Sequence, residues 1–400
     1  MKPWSIKGQR PLSGWRSVFS LRIPWWRLDW PILLLGLGLF ALGLVFVRHM
    51  AEADELFGRS DAIRWGAHLE KALIVTPVLL VGLLVRPRWL RRNAYLLYGL
   101  ALALVCLVPL LGEDRNGAKR WIPMPGGFDL QPSELMKLGV IVALARALYR
   151  TRLQHLADWR LPVALALVPM GLVAAQPDLG TAMTLVPVTL GMLWIAGART
   201  RVLGGLVVAV LLLGLSAWRF EWVQGYQKKR IDTWVSCLDP AVLIESKNGA
   251  AFQVYMSRTS IGSGSWTGHG LGRGVANEAG SLPERDSDCI FAVVADEGGF
   301  LGASALVVAY LLFASLFLLA AARTRERFSR LVIAGAGLYF AAHFAINTGV
   351  NLGLIPMTGL TLPLLSTGGS SLLTSLALLG MALGLSARAE VSLDSDSFRE

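Results

Sequence analysis

Apolar residues along this chain fall in long runs, separated by short charged stretches and by segments rich in glycine and proline. A helix needs about 20 mostly apolar residues to cross a bilayer. Ten runs approach that length, near 31–47, 71–85, 94–111, 132–149, 161–175, 178–196, 202–218, 289–321, 331–350 and 362–385. Together they are too long and too uncharged for the core helices of a soluble domain. The pattern therefore predicts an all-α polytopic integral membrane protein with about ten transmembrane helices. Its largest interruption, 219–288, lies between the seventh and eighth runs and reads as a loop packed on the membrane face.

Composition agrees. Of the 400 residues, 54% are hydrophobic and only 16% charged, against about 25% charged in a soluble domain. The net charge of +11 is carried largely by loops that alternate along the chain, around 2–27, 86–92, 150–160, 199–201 and 323–330. Positive loops stay in the cytoplasm, which places both termini there. Residues 1–28 become a cytoplasmic arm, 29–389 the membrane domain and 390–400 a cytoplasmic tail. The arm lacks the short apolar core and small-residue cleavage site of a signal peptide. Charge spent on topology is not a nucleic-acid footprint, and no RNP, zinc-finger or basic-region signature occurs. Five histidines show no metal spacing such as HExxH. Of three cysteines, Cys106 falls inside an apolar run and reads as inert packing, while Cys237 and Cys289 either pair outside the membrane or stay free.

Candidate chemistry concentrates on the opposite side. In 282–297, LPERDSDCIFAVVADE, acidic residues including Glu284, Asp286 and Asp288 crowd against the eighth run. An ionised carboxylate at the lip of a low-dielectric slab is costly unless something uses it; the alternative is a solvated loop before a helix. In 117–138, GAKRWIPMPGGFDLQPSELMKL, Pro132 suits a helix first turn and Glu134 its positive end. Glu134 and Lys137, three apart, share a helical face, as a structural ion pair or as the lining of a polar cavity. Arg120 has the fork geometry for phosphate oxygens. Asp178, in AAQPDLGTAM, is the sole formal charge between Arg160 and Arg199; it marks a tight connection or faces a cavity. Gln224, Tyr226, Lys228, Lys229 and Arg230 form a basic-aromatic patch suited to anionic headgroups or substrate phosphates. The run 260–274, SIGSGSWTGHGLGRG, matches neither a P-loop nor a Rossmann fingerprint, so no nucleotide is expected, and its glycines read as turns on the membrane surface. Finally, in 347–373, Asn347 and Asn351 end one run, while Pro356, Gly359, Pro363 and the hydroxyl-rich 366–371 interrupt the next. Broken backbone at membrane depth is tolerated where it is buried in protein or lines a cavity, and transporters use it too.

In this order, GAKRW with LQPSELMK, QPDLGTAM, YQKKRI, IGSG, LPERDSDCIFAVVADEGG and NLGLIPMTGLTLPLLSTGGSS resemble the SEDS family of bacterial cell-wall polymerases, which includes RodA and FtsW, over residues 29–389. The resemblance implies a peptidoglycan glycosyltransferase that polymerises lipid II at the outer face of the bacterial cytoplasmic (inner) membrane. It also implies a class B penicillin-binding protein as partner, beside other elongasome or divisome membrane proteins. By motif, the family's essential aspartate falls on Asp288, the acid and base of QPSE-x-x-K on Glu134 and Lys137, the RW arginine on Arg120, the QPDLGT aspartate on Asp178, and the basic residue before IGSG on Arg258. Glu284, Asp286 and Ser366 complete the expected supporting set. Asp286 departs from the family's histidine, Cys289 from an aromatic and Thr367 from a tyrosine. Two close acids either raise one pKa, which suits a general base, or together hold a divalent cation, Mg2+ or Mn2+, with Asp288 as ligand. The resemblance leans toward a RodA-like role. A lipid flippase or transporter, and a non-catalytic scaffold, stay open beside it: the first moves substrate without a new glycosidic bond, the second tolerates loss of Asp288.

Overall fold

The computed structural model describes residues 18–389 apart from 60–62, 116–117, 125–127, 152, 220–224, 246–248, 250, 279 and 281. Residues 1–17 of the arm, Gln224 and the tail 390–400 lie outside the described residues. A helix occupies each of the ten apolar runs. They are α1 (Trp30–Leu56), the pair α2 (Trp65–Val75) and α3 (Pro77–Leu84), α4 (Pro87–Leu111), α5 (Pro132–Leu148), α6 (Leu156–Ala175), α7 (Leu179–Ile195), α8 (Thr200–Arg219), and, after the long loop, α13 (Ile290–Arg323), α14 (Arg327–Asn351) and α15 (Gly369–Arg388). Between α8 and α13 the loop folds into four short helices: α9 (Gly225–Ser236), α10 (Pro240–Glu245), α11 (Phe252–Ser263) and α12 (Val275–Glu278). Proline within the first two positions starts α1, α3, α4 and α5, where its missing N–H costs nothing. The same missing N–H separates α2 from α3 at Pro77.

Among the described residues, seven segments are long and apolar enough to cross a membrane: Trp30–Leu56, Trp65–Leu84, Pro87–Leu111, Ala157–Ala175, Ile290–Arg323, Arg327–Asn351 and Gly369–Arg388. Helix α7 and the apolar part of α8 are shorter, and α5 has 17 residues that include Glu134, Lys137 and Arg146. The bundle is sorted by exposure. Helices α14 and α15 are largely buried, whereas α1 to α4 and α8 present leucines and valines outward, as lipid-facing helices do. Close helix contact at the centre depends on small residues: a Cβ on Gly380 of α15 would lie 2.1 Å from the Leu79 carbonyl of α3. At the end of the bundle where α15 finishes, Arg388 donates to the carbonyls of Leu83 (2.8 Å) and Ser20 (3.0 Å), closing the chain's two ends together.

Three expectations need correction. A three-stranded antiparallel sheet, β1 (Glu113–Arg115), β2 (Ala118–Met124) and β3 (Phe128–Leu130), precedes α5, pairing Ile122 with Leu130 and Met124 with Phe128. The run at 362–385 is helical only from Gly369. Pro363 and Gly368 disfavour an earlier start, and Leu364 takes a left-handed φ of 69°. Cys106 is exposed on α4 rather than packed; of the two readings open for Cys237 and Cys289, the free thiols are found. The glycine-rich segment makes the expected surface turns, with Trp266, His269 and Gly270 exposed and positive φ at Gly268, Gly270 and Gly272, and it also docks on α13. Helix α13 is broken at Gly299 (φ 64°, ψ −164°), and residues 264–270 thread into the break. There the N–H groups of Phe300 and Leu301 reach the carbonyls of Ser265 (2.8 Å) and Trp266 (3.1 Å), and Gly270 N–H reaches Glu297 O (3.0 Å). Irregular backbone at this depth is stable because protein satisfies its polar groups.

Candidate active site

Asp288 lies two residues before α13, in a turn built on Glu284. The N–H groups of Ser287 and Cys289 both donate to the Glu284 carbonyl, and Glu284 itself has a left-handed φ of 50°. Such strain persists only where the surroundings over-determine the backbone, and here they do. Asn347 and Asn351, one turn apart on α14, each donate to the Asp288 carbonyl at 2.9 Å. Asn347 also donates to Leu360 O at 2.7 Å, which ties in the broken segment. From that segment Ser366 Oγ donates to Ser287 O (2.6 Å), while Thr367 donates through its N–H to Asp286 O (3.0 Å) and through its hydroxyl to Asp286 Oδ2 (2.8 Å).

These contacts sort the three acids of the turn. The Asp286 carboxylate accepts from Thr367, and the Glu284 carboxylate accepts from Ser287 Oγ at 2.9 Å. Among the described residues, no hydrogen bond ends on the carboxylate of Asp288, although its backbone is held twice. Its Oδ2 lies over Gly359, where an added Cβ would sit 3.5 Å away. Burial pushes the Asp288 pKa up to about 7; the Glu284 carboxylate adds to the rise, Arg230 opposes it, Asp286 adds again and Arg120 opposes.

The arginines are arranged around this carboxylate unequally. Arg120, on β2, donates to the Pro177 carbonyl and keeps its Nε buried without a partner. Arg230, on α9, donates to Met357 O at 3.0 Å beside the same broken segment; with Gln227 and Ile231 it lines a mostly apolar cavity that Met183 and Met357 also bound. Arg258 is placed differently. Its guanidinium closes the C-terminal end of α14 at Leu352 O (3.1 Å) and Gly353 O (3.3 Å).

Three expected residues serve helix starts and helix contacts. Asp178, buried, is the N-cap of α7 and accepts from Thr181 N–H (3.2 Å), Ser133 Oγ (2.9 Å) and Gln131 Nε2 (3.0 Å). Glu134 and Lys137 form a buried ion pair at 2.6 Å, and Lys137 Nζ also lies 2.8 Å from Nε2 of His343 on α14. An ammonium has no acceptor, so His343 presents a bare Nε2 to Lys137 and carries its proton on Nδ1, toward Thr361 O at 3.5 Å. One Glu134 oxygen, Oε2, is buried without a partner among the described residues. Sequence reasoning did not single out His343 or the bearing of Arg230 on Asp288. The spacing of His343, Asn347 and Asn351, four apart in an apolar run, is the signal that would have found the first.

These features define a class: a polytopic helical membrane protein with one uncommitted carboxylate at the lip of a spanning helix, in the field of two arginines. The family model described as cell cycle protein FtsW/RodA/SpoVE matches residues 29–390, and the chain belongs to that family. The probable peptidoglycan glycosyltransferase FtsW of Trichlorobacter lovleyi is 33% identical over 373 residues, covering 90% of this chain and 93% of its own length. The protein of the same description from Aeromonas salmonicida is 34% identical over 365 residues, 88% of this chain and 89% of its own. A solved structure described as structural coordination of polymerization and crosslinking by a peptidoglycan synthase complex aligns with a TM-score of 0.74 at 30% identity, over 91% of this chain and 99% of that one. The rod shape determining protein RodA of Thermus thermophilus aligns with a TM-score of 0.67 at 28% identity, over 92% and 99%. The SEDS membrane fold expected from the motifs is the fold found.

Proposed function

We propose that this protein is a peptidoglycan glycosyltransferase that polymerises lipid II, with Asp288 as its general base. The observation that carries the role of Asp288 is its uncommitted carboxylate, held by its backbone in a strained turn and raised to a pKa of about 7. A base poised near neutrality both accepts a proton and is unprotonated often enough to act. In this reading Asp288 removes the proton of the acceptor sugar hydroxyl, whose oxygen attacks the donor anomeric carbon. The polyprenyl pyrophosphate departs with the bonding pair. A single displacement converts the α-linked donor into a β-linked product, and the pyrophosphate needs no protonation by a second carboxyl, unlike the leaving group of a glycosidase. Arg120 and Arg230, both in the field of Asp288, neutralise the leaving charge; Lys137 and Arg258 support the framework from further back.

A divalent cation, Mg2+ or Mn2+, is the alternative use of the same carboxylate. Among the described residues no group of three or more His, Cys, Asp or Glu side chains could hold a metal. Mg2+ commonly takes one or two carboxylates and fills its shell with water and phosphate, a demand that Asp288 fits. Bound there, the ion would add positive charge beside the pyrophosphate. No nucleotide is required.

The alternating basic loops support a cytoplasmic location for both termini, in a bacterial inner membrane, with Asp288 facing outward. The relatives' names support a cell-wall role, and the solved peptidoglycan synthase complex that coordinates polymerization and crosslinking supports a crosslinking partner, which we assign as a class B penicillin-binding protein. The relatives are FtsW by sequence and RodA by structure, so the proposal covers division and elongation alike. The test is polymer formation from labelled lipid II by the purified protein, alone and with its transpeptidase, beside Asp288→Asn. Polymer from wild type alone is expected. Polymer from both rejects the base role, and bound lipid II without polymer in every condition points to transport or scaffolding instead.

A further inference from the structure

The Asp288 turn is held on one side by α14 and the broken segment. Its other side is reached by Arg285, three residues before Asp288 and itself buried. Among the described residues, the one side-chain hydrogen bond of Arg285 ends on Oδ1 of Asp54, in the last turn of α1. Asp54 is fully buried. Its carboxylate also accepts from Arg59 Nη1 at 2.6 Å and from the Ile63 N–H at 2.9 Å. Arg59 also donates to the Asn277 carbonyl on α12, and its guanidinium lies against Gly280. One buried carboxylate thus has two cationic partners with different attachments: Arg285 belongs to the Asp288 turn itself, and Arg59 is bonded to α12. A buried charge whose partner is removed is left uncompensated, and the chain moves to relieve it.

We propose that Asp54 is a positioning residue for the reaction, fixing the outer side of the Asp288 turn through Arg285; this rests on the role proposed above for Asp288. The consequence is specific. Loosening this contact displaces the reacting carboxylate without touching the surfaces that bind the lipid-linked substrate, so turnover falls and substrate affinity does not. Arg59 shares the same carboxylate but is not itself part of the turn, and so separates positioning from general stability.

The experiment measures kcat and KM for polymerisation of lipid II by the full chain, with thermal melting in detergent, for Asp54→Asn, Arg285→Gln, Arg285→Lys, Arg59→Gln and the Asp54→Asn/Arg285→Gln double variant. Asp54→Asn and Arg285→Gln are expected to lower kcat by about 10- to 100-fold, the scale of a misplaced reacting group, with KM changed less than about twofold. The double variant should be no worse than the poorer single one, since both act through one contact. Arg285→Lys should recover part of the rate, and Arg59→Gln should lower the melting temperature while keeping kcat. Equal loss of kcat in Arg59→Gln and Arg285→Gln overturns the proposal, as does wild-type kcat in Arg285→Gln. Should Asp54→Asn fail to fold, the Arg285 and Arg59 variants decide the matter alone. Wild-type turnover in Asp288→Asn would instead remove the base role, a failure visible separately from these.

Discussion

Asp178 and Asp288 look alike in the sequence: each is an aspartate at the start of an apolar run, just before a helix. Their surroundings differ in kind. Both oxygens of Asp178 are spent, on Thr181 at the start of α7 and on Gln131 and Ser133 at the start of α5. It joins two positive helix ends and leaves nothing for a substrate. Asp288 is the reverse. Its backbone is gripped by Asn347 and Asn351, its neighbours Asp286 and Glu284 have their carboxylates engaged, and its own receives no hydrogen bond among the described residues. A carboxylate whose bonds are complete contributes structure. One held in place by its main chain, and left incomplete, is available for chemistry.

Four substitutions break or sharpen this contrast. The largest effect belongs to Asp288→Asn, expected to cost about 10²- to 10⁴-fold in polymerisation rate, the contribution of a positioned general base, with an unchanged melting temperature. Lys137→Met comes next. It strands Glu134 in the bundle interior, and breaking a buried pair costs about 3–5 kcal/mol; thermal melting should fall steeply and recover in part when Glu134→Gln is added. Asp178→Ala should show the opposite signature to Asp288→Asn. Three donors lose their acceptor at about 1–3 kcal/mol for a buried group, so melting falls while the folded fraction keeps most of its turnover. The smallest effect is that of Thr367→Val, which frees the Asp286 carboxylate. A loss near 1 kcal/mol and a few-fold drop in rate are expected, and a rate unchanged under both melting and turnover assays would mean that the Thr367 contact does not shape the turn.

The membrane architecture was legible because a bilayer imposes a length, and runs of that length stand out whatever surrounds them. The Glu134–Lys137 pair was legible because both members lie on one helix, three residues apart. The remainder depends on contacts across the chain. His343 meets Lys137 at a separation of 206 residues, and Arg285 meets Asp54 at 231, distances at which no local pattern carries information. The break in α13 hides inside an apolar run; only the pair Gly298–Gly299 hints at it, and the segment that repairs it lies some thirty residues earlier. Arg258 was expected in the site as the basic residue before IGSG, and its guanidinium closes α14. Motif position gives a residue's neighbourhood, and the side chain's reach then decides which of several carbonyls it serves.

The central claim is that Asp288 acts in its unprotonated form. The most direct measurement is the initial rate of glycan polymerisation against pH for the wild-type protein at saturating lipid II. Because burial and the nearby Glu284 carboxylate raise the Asp288 pKa to about 7, the rate should climb about tenfold per pH unit below that value and level off above it. A rate that stays flat through this range, or falls as pH rises, would contradict the assignment of Asp288 as the base.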